Sequence, residues 1–380
     1  MQYSIFSQLT KNSQGRFHKE KEDRNRTIYM RDRDRIIHST SFRRLKYKTQ
    51  VFVHHEGDYY RTRLSHSIEV SQLARSLSKL FRVNEDLSET IALAHDLGHT
   101  PFGHAGEEAL NIKLKNKGGF NHNLHALKIL TNLEQRYLNF DGLNLTWESL
   151  EGILKHNGPV KTTLPNFMEP ILKKFNCNLK KSPSFEAQIA SISDDIAYNN
   201  NDIDDGLHAK IFDLDEISEV QLVKEKLMKI KKKNLKLEKK RVQHELVRSL
   251  IKSMIDDLEK NTKKNLSLIK PKSCNEIKDY IGFVVSFSDE MIAKEDELRK
   301  FLKKKMYFNH SVKIMTYKAK KIVSDLFDLF LVEPQLLPDE WKKKLKQEND
   351  LEIVIGDYIA SMTDKNAINI HEKYFNLYSF

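Results

Sequence analysis

The chain has 380 residues, 31% of them charged, a formal net charge of +11 and a mean hydropathy of −0.58. That length buries a sizeable core and allows two or three domains, and apolar residues recur along it at helical spacing, which excludes a disordered chain. No apolar run approaches the about 18 residues needed to cross a bilayer, and the start lacks the basic-then-apolar pattern of a signal peptide, so a soluble cytoplasmic protein without membrane partners is expected.

Gly and Pro are scarce, at 13 and 8, and strand-like alternation is hard to find, so the reading is all-α. In chain order, Ile68, Leu73, Leu77 and Leu80 predict a helix over 63–81. Ser88 reads as the N-cap of a second, with Glu89 in its first turn and Pro101 as its stop. A third runs from His104 toward the Gly118-Gly119 turn. Further helices are expected at 122–136, 146–156, 184–200, 216–260, 275–304, 311–332 and 350–362, and Pro159, Pro165, Pro170 and Pro183 read as loop punctuation. The coarse architecture is a helical bundle with a basic, elongated insertion: a core over 1–210, the insertion over 211–275 and additional C-terminal helices over 276–380 that complete the core and an oligomer interface.

Residues 92–110, ALAHDLGHTPFGHAGEEAL, hold three histidines, an aspartate and two adjacent glutamates. A solvated helix face uses Lys, Glu and Arg, because His and Asp are poorer helix formers. Cys177 and Cys274 stand far apart with no CxxC, so any metal must be held by imidazole and carboxylate. His95 and Asp96 are neighbours about 100° apart on a helix, and both reach an ion lying between those directions. An antiparallel helix brings His66 alongside, and 186–207 offers Asp194 or Asp195 in an apolar setting where an unpaired carboxylate is costly. An isolated His-Asp pair is usually chance, and a single His is usually structural; the convergence of several is what points to a site.

Six motifs in order then resemble one family: RDRDRIIHSTSFRRLKYKTQVF (31–52), TRLSHSIEV (62–70), HDLGHTPFGHAGEEAL (95–110), GGFNHN (118–123), SDDIAYNNNDIDDGL (193–207) and DYIASMTDKNAI (357–368). Together they are similar to the HD-domain phosphohydrolases, and within them the deoxyguanosine triphosphate triphosphohydrolase-like proteins. The resemblance implies an HD-domain helical bundle with metal ligands His66, His95, Asp96 and Asp194. Asp194 is preferred to Asp195 because the family pattern places a tyrosine four and an acid eight residues beyond the ligand, matching Tyr198 and Asp202.

It also implies hydrolysis of a dNTP to the deoxynucleoside and inorganic triphosphate, by attack of water on the α-phosphorus. The expected cofactor is a divalent metal, Mn²⁺ or Mg²⁺ first, with Fe, Co, Ni or Zn open. His104 matches the family's proton-transfer histidine and Glu107 its acidic partner; His99 and His122 match positions near the α-phosphate. Arg63 is expected on phosphate, Gln50 and Asp202 on the sugar 3′-hydroxyl and Tyr198 beneath the deoxyribose. This chain departs from the family at Asn121, where an acid is common, and at Ser361, where Gly is common. A homo-oligomer, hexamer or tetramer, is implied, with 301–312, including Tyr307 and His310, resembling a stretch between subunits. Asp357 and Asp364 read as caps or anchors.

Residues 221–272 carry 17 Lys and Arg against 6 Asp and Glu, an excess of 11 that equals the charge of the whole chain. Such a stretch is usually a solvated face. Its alternative is a phosphate-binding surface for a regulatory dNTP or for single-stranded DNA, the latter weak, salt-sensitive and indifferent to sequence because aromatics for stacking are missing. Among rival chemistries, the Glu-Asp pair of alarmone hydrolases and the Gly-Tyr-Pro of cyclic dinucleotide phosphodiesterases are not present. An HD-type deoxynucleoside monophosphate phosphohydrolase uses the same four ligands and is the nearer alternative. A nucleic-acid-binding scaffold with a structural metal is the other.

Overall fold

In the computed structural model, which describes residues 2–50, 60–161, 164–233, 238–348 and 350–377, every regular element is helical. The β features among them are three isolated bridges. The helices are α1 (Ile28–Ile37), α2 (Thr40–Arg44), α3 (Arg63–Phe81), α4 (Glu85–Ala94), α5 (His104–Lys113), α6 (His122–Lys128), α7 (Trp147–Leu154), α8 (Glu169–Phe175) and α9 (Phe185–His208). There follow α10 (Leu214–Ile217), α11 (Gln221–Lys233), α12 (Lys239–Ile269), α13 (Cys274–Asp279), α14 (Asp289–Leu302), α15 (His310–Val332), α16 (Asp339–Glu348), α17 (Leu351–Ser361) and α18 (Asp364–Phe375).

Helix α3 starts at a capping box: the Thr62 hydroxyl accepts from the Ser65 N–H while Ser65 Oγ accepts from the Thr62 N–H. Its buried face holds Val70, Leu73, Ala74, Leu77 and Phe81. Ile68 and Leu80, expected in that stripe, are exposed instead. Three serines, Ser67, Ser71 and Ser78, are also buried on this helix, and Ser78 donates to Ser88 of α4 at 2.8 Å.

That contact corrects the expected cap. Asn84, not Ser88, caps α4, accepting from Leu87 N–H at 3.1 Å. The helix also ends earlier than Pro101, with His95 as its C-cap, and the chain turns tightly through 95–103. The proline-punctuated middle contains α8 as well as loops, and the expected helix at 216–260 is three helices, α10 to α12. Helices α1, α2, α16 and α18 were not foreseen.

Helices α3, α4 and α9 pack on one another at the centre of the main core, with α1 on α4 and α12 along α9. Despite its charge, α12 buries Leu246, Leu250, Met254 and Leu258, a four-residue repeat that puts one apolar stripe inward and the lysines outward. Each such side chain contributes roughly 1.5–3 kcal/mol by leaving water. A second core joins Phe102, Leu110 and Leu114 to Leu326, Phe327 and Phe330 of α15 and to α17. The chain on which 92–110 lies thus feeds both cores.

Candidate active site

The site forms where the N-terminal turn of α3, the turn after α4 and the middle of α9 meet. His95 stays in place because its Nδ1–H donates to Ala92 O at 2.6 Å, which leaves Nε2 to face the carboxylates of the cluster. Both Nε2 and Asp96 Oδ2 are buried and have no hydrogen-bond partner among the described residues. The nearest carboxylate oxygens to His95 Nε2 are Asp96 Oδ1 at 3.5 Å and Asp194 Oδ1 at 3.6 Å. One donor atom each from His66, His95 and Asp96 lies within 4.8 Å of the others.

Asp194 faces this cluster from α9, its Oδ1 2.8 Å from His66 Nε2. Asp195 points elsewhere and pairs with Arg299 at 2.7 Å. Burial opposes a charge on His95, yet the Asp96 and Asp194 carboxylates outweigh it and lift its pKa to about 9. Burial would raise both aspartates, but the cations and imidazoles around them, Arg63 and His95 on Asp96 and His95, His156 and His66 on Asp194, hold both well below the usual carboxylate range. Two ionised carboxylates converging on buried imidazole nitrogens make a field for a cation, whether a proton or a metal ion. Imidazole plus carboxylate is the donor set that first-row divalent metals take, so the residues present fit such an ion.

A second group of imidazoles leads away from Asp96. His99 Nε2 lies 3.1 Å from Asp96 Oδ1, and its ring stacks on His122 with centroids 4.0 Å apart. Burial, then Arg63 and His122, push His99 well below the ordinary histidine value, so it is neutral. The His122 backbone N–H and Nδ1–H donate to Glu107 Oε1 at 3.0 and 2.9 Å. His104 lies 3.5 Å from Glu107 Oε2 and is largely exposed, at the rim of the group. Burial raises the Glu107 carboxyl, but hydrogen bonds from His104 and His122 prevail and keep it ionised.

Glycine makes this closeness possible. A Cβ on Gly98 would stand 1.9 Å from the carbonyl oxygen of His122, so only glycine lets the turn after α4 meet the start of α6. Asn121, where an acid was the family habit, caps α6 by accepting from Leu124 N–H at 3.1 Å.

The expected substrate residues fall into two places. Arg63 is buried with Nη1 donating to Asp96 Oδ1 at 3.0 Å, while its Nε has no partner among the described residues. Gln50 is buried with Oε1 likewise unpartnered; residues 51–52, the end of its motif, lie outside the described residues. Tyr198 and Asp202 meet through Tyr307, whose hydroxyl is 2.5 Å from Tyr198 Oη and donates to Asp202 Oδ2 at 2.5 Å. Burial lifts Asp202 to about 7, with the Tyr307 hydrogen bond opposing and Asp205 adding.

Tyr307 therefore works inside its own chain, whereas His310 is exposed. Asp357 and Asp364 are anchors: Asp357 pairs with Lys128, and Asp364 accepts from the backbone N–H groups of Thr49 and Phe102.

Two residues at the site were not foreseen. His156 follows α7 and donates from Nε2 to Asp194 Oδ2 at 3.3 Å, its ring stacked on His95 with centroids 5.3 Å apart. Lys48 is buried, and its ammonium donates to the carbonyls of His99 and Ala360 at 2.5 and 2.8 Å, bracing the His99 turn against the end of α17.

Comparison with known proteins agrees with this geometry. Residues 63–199 match the HD domain family, and residues 285–373 match the phosphohydrolase-associated domain. Over 374 residues the chain is 47% identical to the deoxyguanosinetriphosphate triphosphohydrolase-like protein of Brucella suis, covering 96% of this chain and 93% of that one. It is 48% identical over the same length to the protein of that name from Parvibaculum lavamentivorans, covering 96% and 94%, and 45% identical to deoxyguanosinetriphosphate triphosphohydrolase-like protein 1 of Mesorhizobium japonicum, covering 96% and 93%. Matched over nearly its whole length at such identity, the chain belongs to the deoxyguanosinetriphosphate triphosphohydrolase-like family of HD-domain phosphohydrolases.

Proposed function

We propose that this chain is a metal-dependent dNTP triphosphohydrolase, converting dGTP or another dNTP to the deoxynucleoside and inorganic triphosphate. The observation that carries the reading is the pair of buried, unpartnered atoms His95 Nε2 and Asp96 Oδ2, converging with His66 and Asp194 beside a chain of imidazoles. His66, His95, Asp96 and Asp194 hold a divalent ion, Mn²⁺ or Mg²⁺ in the first instance. Such an ion, when bound, acidifies water and offsets charge on the α-phosphate.

The protein's own groups do the rest. Arg63, fixed by Asp96, keeps Nε for a phosphate oxygen, where a guanidinium outperforms an ammonium. As water oxygen bonds to the α-phosphorus and the bond to the 5′-oxygen breaks, that oxygen needs a proton. His104 at the rim supplies it, with Glu107 orienting the imidazole. His99, neutral, and the His122 ring stacked on it line the α-phosphate. His156 holds Oδ2 of Asp194, so that Oδ1 faces the ion.

Asp202, Tyr198 and Gln50 receive the sugar, and the close Tyr198–Tyr307 pair leaves little room for a 2′-hydroxyl. The same reading includes a cytoplasmic homo-oligomer and a regulatory dNTP or weakly bound single-stranded DNA on the basic face.

The test is to incubate the purified chain with each dNTP, singly and mixed, with Mn²⁺ or Mg²⁺, and to separate products by ion exchange. Deoxynucleoside with intact triphosphate, lost in Asp96→Ala, supports the reading. Activity confined to deoxynucleoside monophosphates moves the assignment to the nucleotidase alternative.

A further inference from the structure

Beside the four candidate ligands, a second set of donor atoms converges. One nitrogen of His99, one of His104 and one oxygen of Glu107 lie within 4.8 Å of one another. His104 and Glu107 are three residues apart at the start of α5, so they share a face of that helix, and His104 Nδ1 is 3.5 Å from Glu107 Oε2. His99 closes the group from the turn after α4. Its Nε2 is engaged with Asp96 Oδ1 at 3.1 Å, while its Nδ1 is buried with no hydrogen-bond partner among the described residues. His99 is 3% exposed, so that nitrogen is a polar atom whose bond is unmet.

The carboxylate is prepared for a cation. His122 anchors it from the start of α6, donating to Oε1 from its backbone N–H at 3.0 Å and from Nδ1–H at 2.9 Å. Those bonds, with the one from His104, keep Glu107 ionised against its burial. Spacing agrees with coordination: ligand atoms about 2.0–2.2 Å from a zinc ion stand roughly 3.4 Å apart in a tetrahedron. His104 and Glu107 already have that separation. The His104 side chain is 65% exposed, which gives an ion a way in and leaves the imidazole free to turn toward it.

We propose that His99, His104 and Glu107, with His122 holding the carboxylate, form a second metal site, separate from that of His66, His95, Asp96 and Asp194, which takes Zn²⁺ or a similar borderline divalent ion. Two imidazoles and one carboxylate suit such an ion, whereas Mg²⁺ prefers oxygen. Three protein ligands with one at the surface leave a fourth position to solvent. An ion there takes up the His104 imidazole, so excess zinc stops proton delivery to the leaving oxygen. That consequence rests on the hydrolase reading; the occupancy of the site does not.

The test counts zinc. The tag-free full-length chain is dialysed against Zn²⁺, bound metal per chain is measured by plasma mass spectrometry, and affinities are taken from calorimetric titration. Wild type is compared with His66→Ala, which breaks the first site, and with His104→Ala and Glu107→Gln, which break the second. His104 is exposed, and a glutamine at 107 keeps an acceptor for the His122 N–H, so neither variant disturbs the core.

Wild type is expected to hold two ions. His104→Ala and Glu107→Gln are each expected to weaken one of them by about tenfold or more, and His66→Ala to weaken the other. If His104→Ala and Glu107→Gln bind zinc as wild type does, or if wild type holds a single ion that only His66→Ala removes, the proposal is overturned. An ion weakened by the α5 variants, with none affected by His66→Ala, supports the second site while removing the metal basis of the hydrolase reading.

Discussion

Asp202, proposed to receive the sugar, carries a cost in stability. Its carboxyl is buried against Tyr307 and raised to about 7, from an ordinary 3.8, mainly by burial. Between those values the folded chain holds a proton that the unfolded chain has released, so folding stability from this group falls as pH rises from about 4 to about 7 and levels off above. Asp202→Asn removes the penalty. The melting temperature of wild type relative to Asp202→Asn is therefore expected to decline across that window, while the variant's KM for dNTP rises; a difference independent of pH contradicts the assignment. His156 makes a second case. Removing its hydrogen bond to Asp194 leaves the carboxylate free to turn, and His156→Ala is expected to weaken Mn²⁺ binding by about 10–100-fold, the usual cost of losing a group that orients a ligand. His156→Gln, which keeps a donor, should recover part of the loss. Unchanged Mn²⁺ affinity in His156→Ala, measured by titration calorimetry, rejects the role.

Elements, rather than residues, decide whether the imidazoles meet. The turn after α4 approaches α6 so closely that a methyl group on Gly98 would overlap the His122 carbonyl at 1.9 Å. Gly98→Ala must push α6 outward and separate the His99 and His122 rings. A loss of roughly 1–3 kcal/mol in urea denaturation is expected from such overpacking, with a larger relative loss of hydrolytic activity. A variant as stable and active as wild type shows that the approach is not needed. The same stretch shows what local sequence can and cannot say about elements. The HDLGH run was legible because its chemistry is packed into five residues. The cap of α4 was not: Asn84 and Ser88 both have cap-forming side chains, and only the packing of Ser88 on Ser78 across two helices separates them. Helix α8 was hidden among prolines because Pro170, in the first turn, is compatible with a helix start.

At the scale of the molecule, the all-α class and the main helices could be read from periodicity, and the candidate ligand set was named from its motifs, because both are carried by residues near one another in the chain. What escaped depends on long-range contact. His156 and Lys48 were not singled out, and Tyr307 was expected between subunits; each reaches the site only because the fold brings its segment there: His156 to Asp194, Lys48 to His99 and Tyr307 to Asp202. The basic segment was legible as charge but not as structure, since the apolar stripe of α12 that docks on α9 is diluted by lysines. The stretch from Ala92 to Leu114 spans both cores, with Ala92 to Leu97 in the main one and Phe102 to Leu114 in the second, so the imidazole group is held between the two rather than resting on either alone.

The claim that all of this serves is attack at the α-phosphorus, and hydrolysis of dGTP in ¹⁸O-labelled water tests it most directly. Mass spectrometry of the products is expected to find one labelled oxygen in inorganic triphosphate and none in deoxyguanosine, since the bond to the 5′-oxygen is the one that breaks. Label in pyrophosphate or in orthophosphate, with a nucleotide as the other product, would place the attack at another phosphorus and contradict the account.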